Sequence, residues 1–245
     1  MTTIQLIRDE PGDGLWNMAA DEWLMQEAAR TGETLLRIYR WSAPTLSLGY
    51  FQAAGDREQH PASLPCPWVR RASGGGAIMH DQELTYALAM PQPQTRGFSQ
   101  PLYDAVHDAL VAELQHRGIA ARRHTDASAP ADRPFLCFQR RAVGDVVLNS
   151  EKILGSAQRR SAQAVVQHGS LLMRRSPYAP ELPGLQDLTE RILAGDELLE
   201  GWLERIRHAF DGAAFVPRSL AETAQKQIHY AACHKFGTDR WRLRR

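Results

Sequence analysis

The stretch DVVLNSEKILGSA, from Asp145 to Ala157, reads as two strands turning on Asn149-Ser150-Glu151. Branched and apolar residues fill both arms, and Asn and Ser are turn formers that tolerate left-handed backbone. A further hairpin arm, 165–173, follows Ser161-Ala162-Gln163. Upstream, 3–8, 35–39, 45–50 and 83–90 carry strand patterning, and Trp68-Val69-Arg70-Arg71 is a shorter candidate. Helical spacing runs through Trp16, Ala19, Ala20, Trp23, Leu24 and Ala28 to a stop at Gly32. It returns from Ser99 as N-cap through Leu102, Val106, Leu110 and Leu114 to Gly118. The segment 121–134 is rich in Arg, Asp, Ala and Pro and predicts a loop, and from Leu185 onward the pattern is mostly helical. Strands clustered between helices, without a regular βα alternation, predict an α+β fold: a mixed β-sheet with flanking helices.

The bulk properties exclude several function classes. A net charge of +1 over 245 residues gives no electrostatic footprint for nucleic acid or a membrane surface. Cys66, Cys137 and Cys233 lie far apart and form no CxxC pair, which argues against a zinc ribbon or a disulfide framework and fits a reducing compartment. Arg8, Asp9 and Glu10 interrupt the place where a secretory peptide needs an apolar run, and no run is long enough to span a bilayer. The expectation is a soluble, cytoplasmic monomer without metal or cofactor.

Two stretches carry chemistry. In Arg70-Arg71-Ala72-Ser73-Gly74-Gly75-Gly76-Ala77, three glycines let the backbone approach a ligand, and their N–H groups can converge on an anionic oxygen. The two arginines upstream can neutralise that charge. Taken alone, a glycine run is equally a plain loop. In Lys152-Ile153-Leu154-Gly155-Ser156-Ala157, a lysine opens an apolar strand, an odd place for a solvated charge. Its ammonium in a cleft would stabilise a carbonyl oxygen or a thiolate; the alternative is a lysine snorkelling from an edge strand.

Together, RRASGGGAIMHDQELTYAL, KILGSAQRR and QHGSLL resemble the biotin/lipoate attachment superfamily, in the order of its lipoate branch. The helix around Trp16–Asp21 and the segment Arg40–Gln52 match it too, so the resemblance covers roughly 14–175. It implies a lipoate/biotin ligase-type catalytic domain over 1–185 with an acyl tunnel, the glycine-rich loop on one wall and the lysine strand opposite. Residues 186–245 are then a helical extension packed on the same domain. The implied substrate-binding residues are Arg70, Arg71, Ser73, Gly74, Gly75, Gly76, Ala77, His80, Gly155, Ser156, Ala157, His168 and Gly169. Among these, His80 and His168 are read as ordering hydrogen bonders.

Within that superfamily, ligases activate a free acid with ATP and carry an Arg-Asn-Asp motif before the lysine hairpin. Here the corresponding stretch is Pro134-Phe135-Leu136-Cys137-Phe138-Gln139, which looks like the Cys-Phe of a cysteine-dependent octanoyltransferase branch. By itself Cys137 is also compatible with a structural thiol between Leu136 and Phe138. The resemblance implies catalytic roles for Cys137, on a strand preceding the lysine hairpin, as nucleophile and for Lys152 beside it; backbone N–H groups near Gly75 or Cys137 could supply an oxyanion hole. The implied donor is octanoyl-acyl carrier protein, and the implied acceptor a lysine of lipoyl domains or of glycine cleavage H protein. The alternatives are an ATP-dependent lipoate-protein ligase and a non-catalytic lipoyl-carrier binding module. Two features depart from the transferase branch: Gly76 stands where it usually has arginine, and the pair Arg140 and Arg141 stands where proline and small residues are expected. Cys66 reads as core packing, and Cys233 has no partner motif.

Overall fold

The computed structural model of the chain describes residues 2–92, 100–127 and 134–244. In chain order, β1 (Thr3–Arg8) leads through α1 (Gly14–Thr31) to β2 (Thr34–Tyr39), β3 (Thr45–Leu48), β4 (Trp68–Arg70), β5 (Ile78–His80) and β6 (Glu83–Pro91). Then come α2 (Gln100–His116), β7 (Arg122–Arg123), β8 (Val146–Leu148), β9 (Glu151–Arg160) and β10 (Ala164–Leu172). The chain continues through α3 (Leu185–Thr189), α4 (Gly195–Ala209), β11 (Ala214–Pro217), α5 (Glu222–Ala231) and α6 (Asp239–Arg242).

The larger sheet has the order β11-β1-β2-β6-β10-β9-β8-β7, and a smaller one has the order β4-β3-β5. β1 lies parallel to β2 and β11, while the rest of the larger sheet is antiparallel, so the sheet is mixed as expected. Strand alternation sorts its side chains onto two faces. Leu36, Leu84, Tyr86 and Leu171 meet α2 and α4 through Val106, Leu110, Trp202 and Ile206. Leu35, Ala87, Ala89 and Val166 meet α1 and α5 through Ala20, Leu24, Ala28 and Ile228. Alanines on this second face let α1 settle close to the sheet. Leu46, Leu48, Met79 and Phe138 make a separate cluster around the smaller sheet.

Local signals explain the ends of elements. The Asp13 side chain accepts from Trp16 N–H at the start of α1, and Gly32 closes it in left-handed backbone, φ 73°. Asn149 and Ser150 both adopt positive φ, 48° and 69°, which makes the β8–β9 connection a two-residue turn; Glu151 already belongs to β9. The reading of a three-residue turn was therefore one residue too long. The strand expected over 45–50 stops at Leu48. Arg122 and Arg123, expected in a loop, pair with β8, and β11 interrupts the region expected to be helical by adding to the edge of β1. Ser99 and residues 128–133 lie outside the described residues. Among the described residues, no helix is long and apolar enough to cross a membrane.

Trp202 on α4 is 1% exposed, meets the Tyr86 ring edge-on at 5.5 Å, and donates its indole N–H to Val106 O at 3.0 Å. Trp202→Ala should cost ~3–5 kcal/mol, seen as a lower urea midpoint, and Trp202→Phe clearly less. Equal unfolding midpoints for Trp202→Ala and wild type would mean that α4 adds nothing to the stability of the sheet it covers.

Candidate active site

The site is built where β9 faces the loop that follows β4. A β-bulge disturbs the pairing of β8 and β9: Val147 opposes Lys152, but Val146 opposes Leu154. Two residues of β9 thus answer one of β8, and alternation breaks. Ile153 and Leu154 both enter the core, while Lys152 bends over Gly155. A Cβ on Gly155 would stand 2.6 Å from the Lys152 ammonium, so glycine is required for the lysine to lie there.

Lys152 is 6% exposed. Its Nζ lies 2.9 Å from Asp145 Oδ2 and 3.8 Å from Cys137 Sγ, and it sits over the Phe138 ring at 5.2 Å. Burial pushes its pKa down, but the Cys137 sulfur and the Asp145 carboxylate outweigh that and hold it above the ordinary lysine value. Asp145 is fixed in turn by the Tyr103 hydroxyl at 2.8 Å and by Ala142 N–H at 2.7 Å.

Cys137 is half-buried in a 3-10 turn, Cys137–Gln139, and not on a strand as expected. Ala77 N–H donates to Phe135 O at 3.0 Å, and Cys137 N–H donates to Ala77 O at 2.7 Å. That exchange fixes the sulfur against the glycine-rich loop, and of the backbone N–H groups expected near Gly75 or Cys137 as an oxyanion hole it leaves that of Cys137 already bound. Gly75 has φ +96°, and a Cβ there would lie 3.9 Å from the sulfur. Gly76 is tightly enclosed, since a Cβ would meet Phe135 O at 3.0 Å and the Arg140 guanidinium carbon at 3.2 Å. The two departures from the transferase branch are thus neighbours in space: Arg140 occupies the room that a side chain at position 76 would need.

The expected site residues divide into groups. Arg71, Gly74, Gly75, His80, Gly155, Ser156, Ala157, His168 and Gly169 line one cleft with Cys137, about 490 Å³ in volume. Arg71 also clamps the loop, donating to Gly74 O and Gly76 O at 3.0 and 2.7 Å and to Ser47 O at 2.8 Å. Burial pushes its pKa down to about 10, which leaves it charged at neutral pH. Ser73, Gly76 and Ala77 stand behind this wall; Ser73 Oγ lies 2.5 Å from His168 Nε2, and His168 Nδ1 lies 2.8 Å from Asp21. Arg70 is a correction. Its guanidinium donates to the main-chain carbonyls of Gly49, Gln52 and Arg242, and it does not line the cleft.

His80 stacks on Trp41, with Nδ1 2.8 Å from Glu83 and Nε2 2.6 Å from Ser47 Oγ, and burial lowers its pKa. It closes β5, and the turn comes after it. His107 on α2, not anticipated from the sequence, is pushed down to about 3 by burial and is neutral. Its Nδ1 faces Gly144 O at 2.8 Å and must carry the proton, so Nε2 accepts from the Ser156 hydroxyl at 2.7 Å. Ser156 then accepts from Tyr86, and Tyr86 from Gln167, which orients a hydrogen-bond chain beneath the cleft.

Asp145, Tyr103 and His107 are the functional neighbours that sequence reasoning missed. Asp145 had one signal, a carboxylate heading an apolar strand. Tyr103 and His107 are one turn apart on the buried stripe of α2, among Leu102, Val106, Leu110 and Leu114. Among the described residues, no group of three or more His, Cys, Asp or Glu is placed to hold a metal ion.

The model of the lipoyl protein ligase A/B catalytic domain matches residues 13–179. Octanoyltransferase LipM of Kyrpidia tusciae is 34% identical over 190 residues, covering 73% of this chain and 69% of that protein. Octanoyltransferase LipM of Carboxydothermus hydrogenoformans is 27% identical over 257 aligned residues, covering 94% and 95%. Among solved structures, the bipartite lipoate protein ligase studied with its E2 lipoyl domain from Thermoplasma acidophilum superposes with a TM-score of 0.78 at 18% identity. That match covers 99% of this chain and 97% of that one, and it speaks to the fold alone.

Gly155→Ala displaces the Lys152 ammonium while leaving Cys137 in place. Alkylation of Cys137 by iodoacetamide at neutral pH should slow by about tenfold or more, because a unit charge within ~4 Å of a thiolate is worth on the order of 1–4 kcal/mol. An unchanged alkylation rate in a folded Gly155→Ala protein would show that the ammonium does not act on the sulfur.

Proposed function

This chain belongs to the lipoyl protein ligase A/B catalytic-domain family, and from that premise we propose that it is an octanoyltransferase of protein lipoylation working through a Cys137 acyl-enzyme. The observation that carries this reading is the Cys137–Lys152 pair, 3.8 Å apart at the cleft that the glycine loop walls. A thiolate is the side-chain nucleophile suited to a thioester donor, because the leaving thiol has similar basicity and the exchange needs no ATP.

In the first half-reaction the Cys137 sulfur attacks the thioester carbonyl carbon, the donor's C–S bond breaks, and Lys152 gives its proton to the leaving thiolate. Acylation also removes the negative charge on sulfur, one of the causes that raise the Lys152 pKa, while burial continues to press it down. The neutral lysine is then set to accept a proton from the acceptor amine as that amine attacks the acyl carbon. An amide forms, the Cys137 thiolate is released, and the Lys152 ammonium is restored. Asp145 holds Nζ in place through both steps. The acyl donor in this reading is octanoyl-acyl carrier protein, and the acceptor is the lysine of a lipoyl domain or of glycine cleavage H protein. The two LipM relatives support the reaction class.

Mixing the protein with octanoyl-acyl carrier protein in buffer free of ATP and magnesium should add one octanoyl mass, reversed by hydroxylamine and absent in Cys137→Ala. A strict need for ATP and free octanoate, or an adduct on Cys66 or Cys233, would overturn the mechanism. Lys152→Met and Asp145→Asn should each slow acylation, by about 10²-fold for the lysine and less for the aspartate. Lys152→Arg should keep the support for the thiolate yet slow both half-reactions, since arginine holds the charge but can neither give a proton to the leaving thiolate nor take one from the acceptor amine. Single-turnover rates for the two half-reactions measure both effects, and wild-type rates in Lys152→Met would remove the lysine from the mechanism.

A further inference from the structure

Arg70 is fully buried and yet does not reach the cleft. Its Nη1 donates to Gly49 O at 2.9 Å and Gln52 O at 2.6 Å, and its Nε and Nη2 both donate to Arg242 O, at 2.9 and 2.8 Å. The connection is reciprocal: the Trp241 indole N–H donates to Arg70 O at 2.9 Å. Trp241 and Arg242 belong to the single turn of α6, whose last carbonyls have no partner within the helix. A buried guanidinium therefore caps α6 at one end and binds the 49–52 segment at the other.

That segment is the wall behind the glycine loop. A Cβ on Gly49 would overlap the Gly75 carbonyl oxygen, and Tyr50 N–H donates to Ser73 O at 2.9 Å. A Cβ on Gly75 would lie 3.9 Å from the Cys137 sulfur. The side of α6 is also seated: Trp241 meets Tyr50 edge-on at 5.8 Å and Phe236 at 5.3 Å, and the Arg244 guanidinium lies over Tyr50 at 4.2 Å. A continuous line of direct contacts thus runs from α6 through Arg70 and Gly49 to Gly75.

We infer that α6 is a strut for the glycine loop, with Arg70 and Trp241 as positioning residues that set the loop's distance from Cys137. The loop's glycines offer no side chains to hold it from within, so its geometry must be imposed by what lies behind it. Arg71 holds its carbonyls from the cleft side, and the α6–Arg70 strut holds its base. Arg70 touches no reacting atom; it acts through Gly49 and Gly75.

The test uses full-length wild type, Trp241→Phe, Arg70→Lys and the double variant. Trp241→Phe keeps the ring packing and removes only the N–H donor; Arg70→Lys keeps the charge but cannot span three carbonyls. Hydrogen exchange of the peptide covering 73–77 should quicken several-fold in Trp241→Phe and by about tenfold or more in Arg70→Lys, with exchange in β6 and β10 unchanged. The maximal acylation rate of Cys137 by an octanoyl thioester should fall in the same order, while the half-saturating donor concentration moves little. The double variant should be no worse than Arg70→Lys, because both changes cut one link. Wild-type exchange over 73–77 in Trp241→Phe, or additive effects spread over the whole domain, would overturn the strut. The kinetic arm rests on the acyltransferase reading, and the exchange arm does not. A wild type that is never acylated therefore sinks that reading while the exchange result still decides the strut.

Discussion

A buried ammonium sets the terms for this molecule. Removing an unpaired lysine charge from water costs several kcal/mol or more, so Lys152 can be held inside only by groups that answer its charge. Asp145 and the Cys137 sulfur supply that answer from two sides. The rest of the neighbourhood follows from keeping those three groups in range. The β9 bulge turns the lysine away from strand alternation, Gly155 vacates the room its stem needs, and Tyr103 reaches from α2 to fix the carboxylate. In the proposed mechanism the same group does the chemistry: its ammonium supports a thiolate before acylation and gives up its proton more readily once the thiolate's charge is gone.

The opposite wall obeys a different constraint, the close approach of backbones. Gly49 lies against the Gly75 carbonyl, and Gly76 against Phe135 O. A side chain at position 49 would push the loop off its support, and one at position 76 would crowd it. A loop so bare has little stiffness of its own, and the structure answers with two buried arginines. Arg71 grips the carbonyls of Gly74 and Gly76 from the cleft, and Arg70 grips Gly49 and Gln52 from behind. Both read in sequence as anion binders. Their hydrogen bonds go instead to main-chain oxygens and, for Arg71, also to the Ser47 hydroxyl, with Arg71 contributing a positive charge to the cleft as well.

The elements after Leu185 take part in both walls. Trp202 on α4 packs against Tyr86, whose hydroxyl belongs to the hydrogen-bond chain through Ser156 and His107. β11 extends the sheet from β1, and α6 backs the glycine loop. The region reads in sequence as a helical addition, yet its side chains reach residues that line or underlie the cleft.

The sequence by itself determined the local elements and the motif-bearing residues. Asp13 and Gly32 bound α1, Asn149-Ser150 turned a hairpin, the order of the glycine and lysine motifs carried the family resemblance, and Cys137 and Lys152 stood out within it. These signals are short-range: a cap, a turn or a strand pattern is written in neighbouring residues. Only the tertiary structure decided that Asp145 and Tyr103 complete the lysine's environment, that His107 is neutral and orients Ser156, that the Cys137 amide is bound to Ala77 O, and that Arg70 serves a helix 172 positions away. A two-residue strand such as β7, or an edge strand such as β11, has too few residues to show a period and forms because a partner edge is already there. Which of many buried polar groups meets which is set by a bulge, a missing Cβ and the stacking of distant elements, and no pattern of neighbours records those distances.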